Sequence, residues 1–179
     1  AMLAAADPAG AALADVAYVH LYLADMAHFG PVNAAYCQYF GAHPPSRSCV
    51  QVPLCGDVSF RPVGCSIGSA APAVLVCADA LVIVGSGAQL RAHNFSARST
   101  LHVASLSRWA PLCIGPYCQA NTMERAGLVA LAGQIGLIPE TMQLKPGGFA
   151  HQLQRSLANA MRLLATCNAA LQHAMAVTV

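Results

Sequence analysis

The sequence predicts an α+β fold, and three patterns carry that prediction. From Asp15 to Met26, Ala17, Val19, Leu21 and Leu23 alternate with Val16, Tyr18, His20 and Tyr22, the two-residue period of a strand. From Phe149 to Cys167, Phe149, Leu153, Leu157, Ala160, Met161 and Leu164 recur at three and four, which is a helical stripe. Between them, glycine and proline punctuate short apolar runs, as hairpins require. The expected order is strand–helix–strand–strand, then strand–hairpin–helix–strand, with antiparallel pairing.

Taken in order, residues 1 to 14 form an alanine-rich lead-in broken by Asp7-Pro8 and Gly10. The first strand follows, and its Tyr/His face is half-polar, as on a sheet that lines a cleft or meets another subunit. Ala27 to Phe40 reads as a helix: Phe29, Val32, Tyr36 and Tyr39/Phe40 make one stripe, Asp25 caps its start and Gly41 stops it. His43-Pro44-Pro45 stiffens the entry to a second strand, Pro44 to Val52. Arg47 stands at the mouth of that strand, placed to take a carboxylate through its planar fork or to be solvated there.

Residues 53 to 70 carry Pro53, Gly56, Pro62, Gly64 and Gly68 and read as irregular. Residues 73 to 84 are rich in Val, Leu and Ile and read as a buried strand with a turn near Ala78-Asp79. Residues 85 to 99 read as a polar linker. A short strand is expected over Leu101 to Leu106. A loop with Pro111, Gly115 and Pro116 leads into the next strand, Met123 to Gly127 makes a hairpin turn, and Leu128 to Gln134 returns. Gly133 permits close approach by a ligand or a neighbouring strand. Pro139-Glu140-Thr141 and Lys145-Pro146-Gly147-Gly148 are loops, and Gln172 to Val179 reads as a final strand.

Composition narrows the function classes. The chain has 179 residues, 56% hydrophobic and 9% charged, with a net charge of +2. That balance, with scattered arginines, argues against nucleic acid as a partner. Eight cysteines lack paired zinc spacing, and a chain this long and apolar does not need disulfide staples. Free thiols in a reducing compartment, the cytoplasm, are expected, and no metal site. Ser69 to Ala88 approaches membrane-spanning length, but Pro72, Asp79, Gly85 and Gly87 interrupt it, so no membrane partner is expected. The start at Ala1 reads as a cut from a longer frame.

Two sets of motifs point to a family. Ile114-Gly115-Pro116-Tyr117-Cys118-Gln119-Ala120, the Leu131-Ala132-Gly133-Gln134-Ile135 strand and the long helix resemble the amino-terminal half of a RidA-type (YjgF) domain. Val19 to Met26, then Phe29, Val32-Asn33, Tyr36 and Phe40, then Pro45-Ser46-Arg47-Ser48-Cys49-Val50-Gln51-Val52, resemble the carboxy-terminal half. The halves stand in reversed order: 15–55 ends a first repeat, 56–100 is a linker or insertion, and 107–179 begins a second. The resemblance implies a chorismate-mutase-like antiparallel sheet packed by two helices, with the first and last strands equivalent. Trimer-like packing is implied between repeats of one chain or between copies.

Tandem repeats of this kind, with Ser107-Arg108-Trp109-Ala110-Pro111 before the Gly-Pro-Tyr element, resemble the carboxy-terminal region of the eukaryotic diphthine–ammonia ligases. Those enzymes amidate diphthine on translation elongation factor 2 with ATP and ammonia. ATP would bind a domain before Ala1, because no phosphate loop occurs here. An accessory role in assembly or substrate recognition follows. The alternative is RidA-type hydrolysis of 2-iminobutanoate and 2-iminopropanoate to ketoacids, with no cofactor in this chain.

The resemblance assigns Arg47 to the substrate carboxylate and Cys49 to the pocket wall. Tyr117 and the Gly133 strand would close the cleft, and Asn33 would lie near a subunit boundary. RidA enzymes usually carry a glutamate on the next strand to position water. Pro72-Ala73-Val74-Leu75-Val76 has none, and Asp79 is offset from that position.

Overall fold

The computed structural model describes residues 13–54, 75–83 and 98–177. The lead-in, most of the irregular stretch and the polar linker lie outside those residues. The described elements are α+β. The first strand, β1 (Val16–Leu23), runs one residue inside the predicted start. Its odd-numbered side chains and Val16 form the core, with Val16, Ala17, Val19, Leu21 and Leu23 all at 4% exposure or less. Burying side chains of that size is worth roughly 1.5–3 kcal/mol each.

Asp25 caps the exit as expected, its Oδ1 accepting from Ala27 N at 2.8 Å in a 3-10 turn over Met26–His28. Helix α1 (Phe29–Tyr36) follows directly. The chain then returns as β2 (Ser46–Gln51), which pairs with β1 in parallel, Val19 opposite Arg47 and His20 opposite Ser48. A helix between adjacent parallel strands is the βαβ unit, so this one pair departs from the antiparallel expectation. β3 (Val76–Val82) pairs antiparallel on the other edge of β1, giving the order β2-β1-β3.

β3 corrects two expectations. It runs unbroken through Ala78-Asp79, and it is not buried: Leu75, Val76 and Leu81 are 50%, 39% and 44% exposed. A Val/Leu-rich run fixes strand propensity, but burial depends on what packs above and below it.

The second half builds an antiparallel sheet β4-β5-β6 from β4 (Ser99–Leu101), β5 (Ala120–Met123) and β6 (Leu128–Leu131). β4 sits at the start of the predicted Leu101–Leu106 strand, whose remainder is irregular. The β5–β6 hairpin turns where expected, on a 3-10 turn over Glu124–Ala126 with Gly127 at φ 59°, a left-handed conformation that suits glycine. Pro139-Glu140-Thr141 forms the expected turn, and a two-residue ladder that the sequence did not signal, β7 (Leu137–Ile138) with β8 (Gln143–Leu144), flanks it.

Helix α2 (Phe149–Thr166) matches the strongest sequence signal in extent but not in orientation. Its buried residues are Asn159 and Leu163. Of the expected core stripe, Phe149, Leu157 and Met161 are 77%, 40% and 48% exposed. Polar side chains seat the helix instead. Ser156 Oγ donates to Gln134 O at 2.8 Å, and Asn159 Nδ2 donates to Leu137 O at 2.9 Å. Leu163 packs with Val103 and Ala110, flanked by Leu101 and Leu131.

The predicted final strand is absent among the described residues: Leu171–His173 is a 3-10 turn and residues 174–177 are irregular. The proposed equivalence of first and last strands therefore has no counterpart in the described fold.

The two halves are stitched along β2. Cys118 N donates to Pro45 O at 3.3 Å and Gly133 N to Arg47 O at 3.2 Å. Ser46 Oγ reaches both Ala17 O and Ala130 O, and Asn121 Nδ2 donates to Ala17 O at 2.8 Å. Every one of these bonds joins residues distant in sequence, so the seam is tertiary and not a turn.

Candidate functional site

Arg47 is placed by this seam. It is 2% exposed, on the face of β2 that points to the core. Helix α1 presents Phe29, Asn33 and Tyr36 to it, four and three residues apart on one helical face. Asn33 Oδ1 accepts from Arg47 Nη2 at 2.8 Å. The guanidinium carbon lies 4.7 Å from the Tyr36 ring centre and 5.8 Å from that of Phe29. From the other half, Tyr117 brings a third ring to 5.5 Å. Three rings around one guanidinium is a cation–π cage, each contact worth about 0.5–2 kcal/mol.

The cage leaves polar capacity open. Among the described residues, Arg47 Nη1 and Tyr36 Oη are both buried without a hydrogen-bond partner. A buried unpaired donor costs about 1–3 kcal/mol, so the described residues leave polar capacity at this site. Burial raises the Tyr36 hydroxyl well above its ordinary range, with Arg47 pulling the other way. Burial likewise raises Tyr117. Both phenols stay protonated at neutral pH.

Gly115 explains the close fit of the Tyr117 loop, since a Cβ there would come within 2.9 Å of Arg47 Nη2. Cys49 shares the Arg47 face two residues on. Burial raises its thiol and Arg47 offsets this in part, so the sulfur stays protonated at neutral pH. Cys113 and Cys118 bracket the loop, and burial pushes them up to about 12 and about 11.

Thus four of the five sequence candidates, Arg47, Asn33, Cys49 and Tyr117, lie on the guanidinium side. Gly133 adjoins Arg47 only through the backbone, its N–H donating to Arg47 O at 3.2 Å. A Cβ on Gly133 would meet Ser48 Oγ at 2.8 Å, so Gly133 permits the approach of the two halves and turns away from the guanidinium. Asp79 is on the opposite face of the sheet, where it binds His20 Nδ1 at 2.9 Å and the Tyr22 hydroxyl at 3.1 Å. It cannot serve the Arg47 site.

In the sequence Phe29 and Tyr36 stand out as a helical stripe and as part of the family motif, without a role at the guanidinium. Their spacing with Asn33 was the available signal for a cage. Arg98 was missed: its guanidinium donates to Val16 O and to His43 O, and burial lowers its pKa. No motif marks a residue whose task is to hold two backbone carbonyls.

The sequence pattern of the family described as Endoribonuclease L-PSP matches residues 2–58 and 107–179, more than half of the chain. The chain belongs to this family, the RidA family. The two matched segments of this RidA-family chain contain every residue of the Arg47 cage. The chain is 37% identical over 132 residues to the diphthine–ammonia ligase of Schizosaccharomyces pombe, covering 73% of this chain and 17% of that protein. It is 31% identical over 131 residues to the corresponding ligase of Saccharomyces cerevisiae, covering 69% and 17%. A shorter match, 40% identical over 55 residues, joins it to bovine 2-iminobutanoate/2-iminopropanoate deaminase, covering 31% and 39%. The chain spans about one-sixth of the length of the ligases it resembles.

Proposed function

We propose that this RidA-family chain is an accessory region of a diphthine–ammonia ligase, and that its Arg47 cage recognises a carboxylate and does not hydrolyse an imine. The observation that carries the reading is that, among the described residues, the buried Arg47 Nη1 and Tyr36 hydroxyl have no hydrogen-bond partner. One carboxylate oxygen on Nη1 and the other on the Tyr36 hydroxyl would satisfy both. Such charge-assisted bonds contribute about 1.5–3 kcal/mol each. Similarity to the two yeast ligases over about seven-tenths of the chain supports the ligase context.

Hydrolysis needs a group to position and deprotonate water. Pro72 to Val76 has no glutamate, and Asp79 faces the other side of the sheet. The region therefore serves recognition or assembly. Amidation of diphthine on elongation factor 2, with ATP bound elsewhere in the protein, would be the reaction it supports in the cytoplasm. Trimer-like packing of repeats is the assembly it fits.

Reconstituted amidation by the full-length ligase tests this. Arg47→Met should raise KM for the protein substrate about tenfold with kcat retained, the signature of lost ground-state recognition. Unchanged kinetics would remove the recognition role. Turnover of the imine of 2-aminoacrylate by the chain above the buffer rate, abolished by Arg47→Ala, would favour the deaminase instead.

A further inference from the structure

A second polar site lies away from Arg47. Ser99, Thr100 and Leu101 of β4, Thr122 of β5, and Glu124 form one side of a cavity of about 250 Å3. Thr166, Cys167 and Asn168, at the carboxyl end of α2, form the other. Ser99 and Thr122 are register partners, so their positions adjoin across the ladder.

The one charged side chain among the described lining residues is Glu124. It is exposed at the cavity rim, and no cationic side chain stands among the described lining residues. The carboxyl end of the 18-residue α2 adds about half a negative charge. The last-turn carbonyls Leu163 O, Leu164 O and Ala165 O are already bonded to the amides of residues 167–169. The helix therefore contributes field, and the side chains contribute the hydrogen-bond acceptors. Thr166 Oγ1 donates to Arg162 O at 3.1 Å, which spends its proton and leaves the oxygen able only to accept. Thr100 Oγ1 is shared with His43. This is a negative pocket in a chain of net charge +2.

We infer that the cavity between Glu124 and the carboxyl end of α2 binds a primary ammonium group of a small molecule. A carboxylate, several hydroxyl oxygens and an amide oxygen around a cavity match three N–H donors on a tetrahedral cation. Three hydroxyl-bearing walls also suit a ligand that keeps part of its water shell.

The test is a titration of the chain with ethylammonium chloride at low ionic strength, followed by backbone amide shifts. Saturable shifts at Thr122, Glu124, Cys167 and Asn168 are expected, with sodium chloride at matched ionic strength giving none. Glu124→Gln, a surface change, should weaken the response about tenfold or more. Glu140→Gln and Arg47→Met should leave it intact, which separates this site from the Arg47 cage. Equal responses to sodium and ethylammonium, or full binding by Glu124→Gln, would overturn the inference. So would an absence of saturation in a chain whose amide spectrum shows it folded.

Discussion

Arg47 brings five N–H donors into a box of three rings, where among the described residues its side chain donates to Asn33 alone. Two effects compete in a substitution there. Arg47→Met removes a buried charge, which is favourable, and removes cation–π and hydrogen-bond contacts that join the two halves, which is not. The contacts outweigh the charge because the rings already shelter the cation: a net loss of about 1–3 kcal/mol is expected in urea unfolding. Gly115→Ala should act on the same group by a different route. Its Cβ would press on Nη2, break the Asn33 bond and cost about 1–2 kcal/mol without altering charge. The thiols make a pH prediction. Folding raises Cys113 to about 12 and Cys118 to about 11, whereas unfolded thiols titrate near 8.5. The unfolded chain thus loses these protons first. Their contribution to stability is complete below about pH 8.5 and is lost as pH rises through 11 to 12. Thermal midpoints should fall across that window, and replacing both cysteines by alanine should flatten the fall.

At the scale of elements, α2 separates periodicity from burial. The sequence shows an amphipathic helix, and the helix exists over almost the predicted span. Yet the side chains that seat it are Ser156, Asn159 and Leu163, lying about a quarter-turn from the apolar stripe. Asn159→Leu should cost about 2 kcal/mol, because it strands the Leu137 carbonyl beneath the helix. Phe149→Ser and Leu157→Ser should stay within about 0.5 kcal/mol, as exposed positions do. Chemical denaturation of the three variants reads both. The stripe misled because periodicity reports which face is apolar, and only tertiary hydrogen bonds decide which face is covered. The same limit applies to β3, strand-forming and exposed. β1, by contrast, was legible in its start and its buried face, though it ends at Leu23 and not at Met26, since strict alternation over eight positions leaves one choice of face. The missed β7–β8 ladder is two residues per strand, too short to leave any period.

At the scale of the molecule, the two family segments are joined by backbone bonds from Pro45 and Arg47 to Cys118 and Gly133. The neighbourhood of Arg47, Asn33, Cys49 and Tyr117 was legible because a family motif fixes residue types even when the chain order is changed. The close approach at Gly133 and the offset of Asp79 were legible too, but that Asp79 faces away from Arg47 was not, because it depends on which face of a sheet a residue occupies once the strands pair. The seam has a consequence for folding. A chain cut between 98 and 107 should lose the cage from both pieces, and neither piece alone should give a cooperative unfolding transition. Mixing the two pieces should restore one.

The central claim is that the cage is an open carboxylate site built jointly by both halves. Isothermal titration of the chain with 2-oxobutanoate, a stable ketoacid, tests it most directly. Saturable binding is expected, weakened about tenfold or more by either Arg47→Met or Tyr36→Phe and untouched by Glu124→Gln. Equal binding by Arg47→Met, or no heat at millimolar ketoacid with the chain folded, would contradict it.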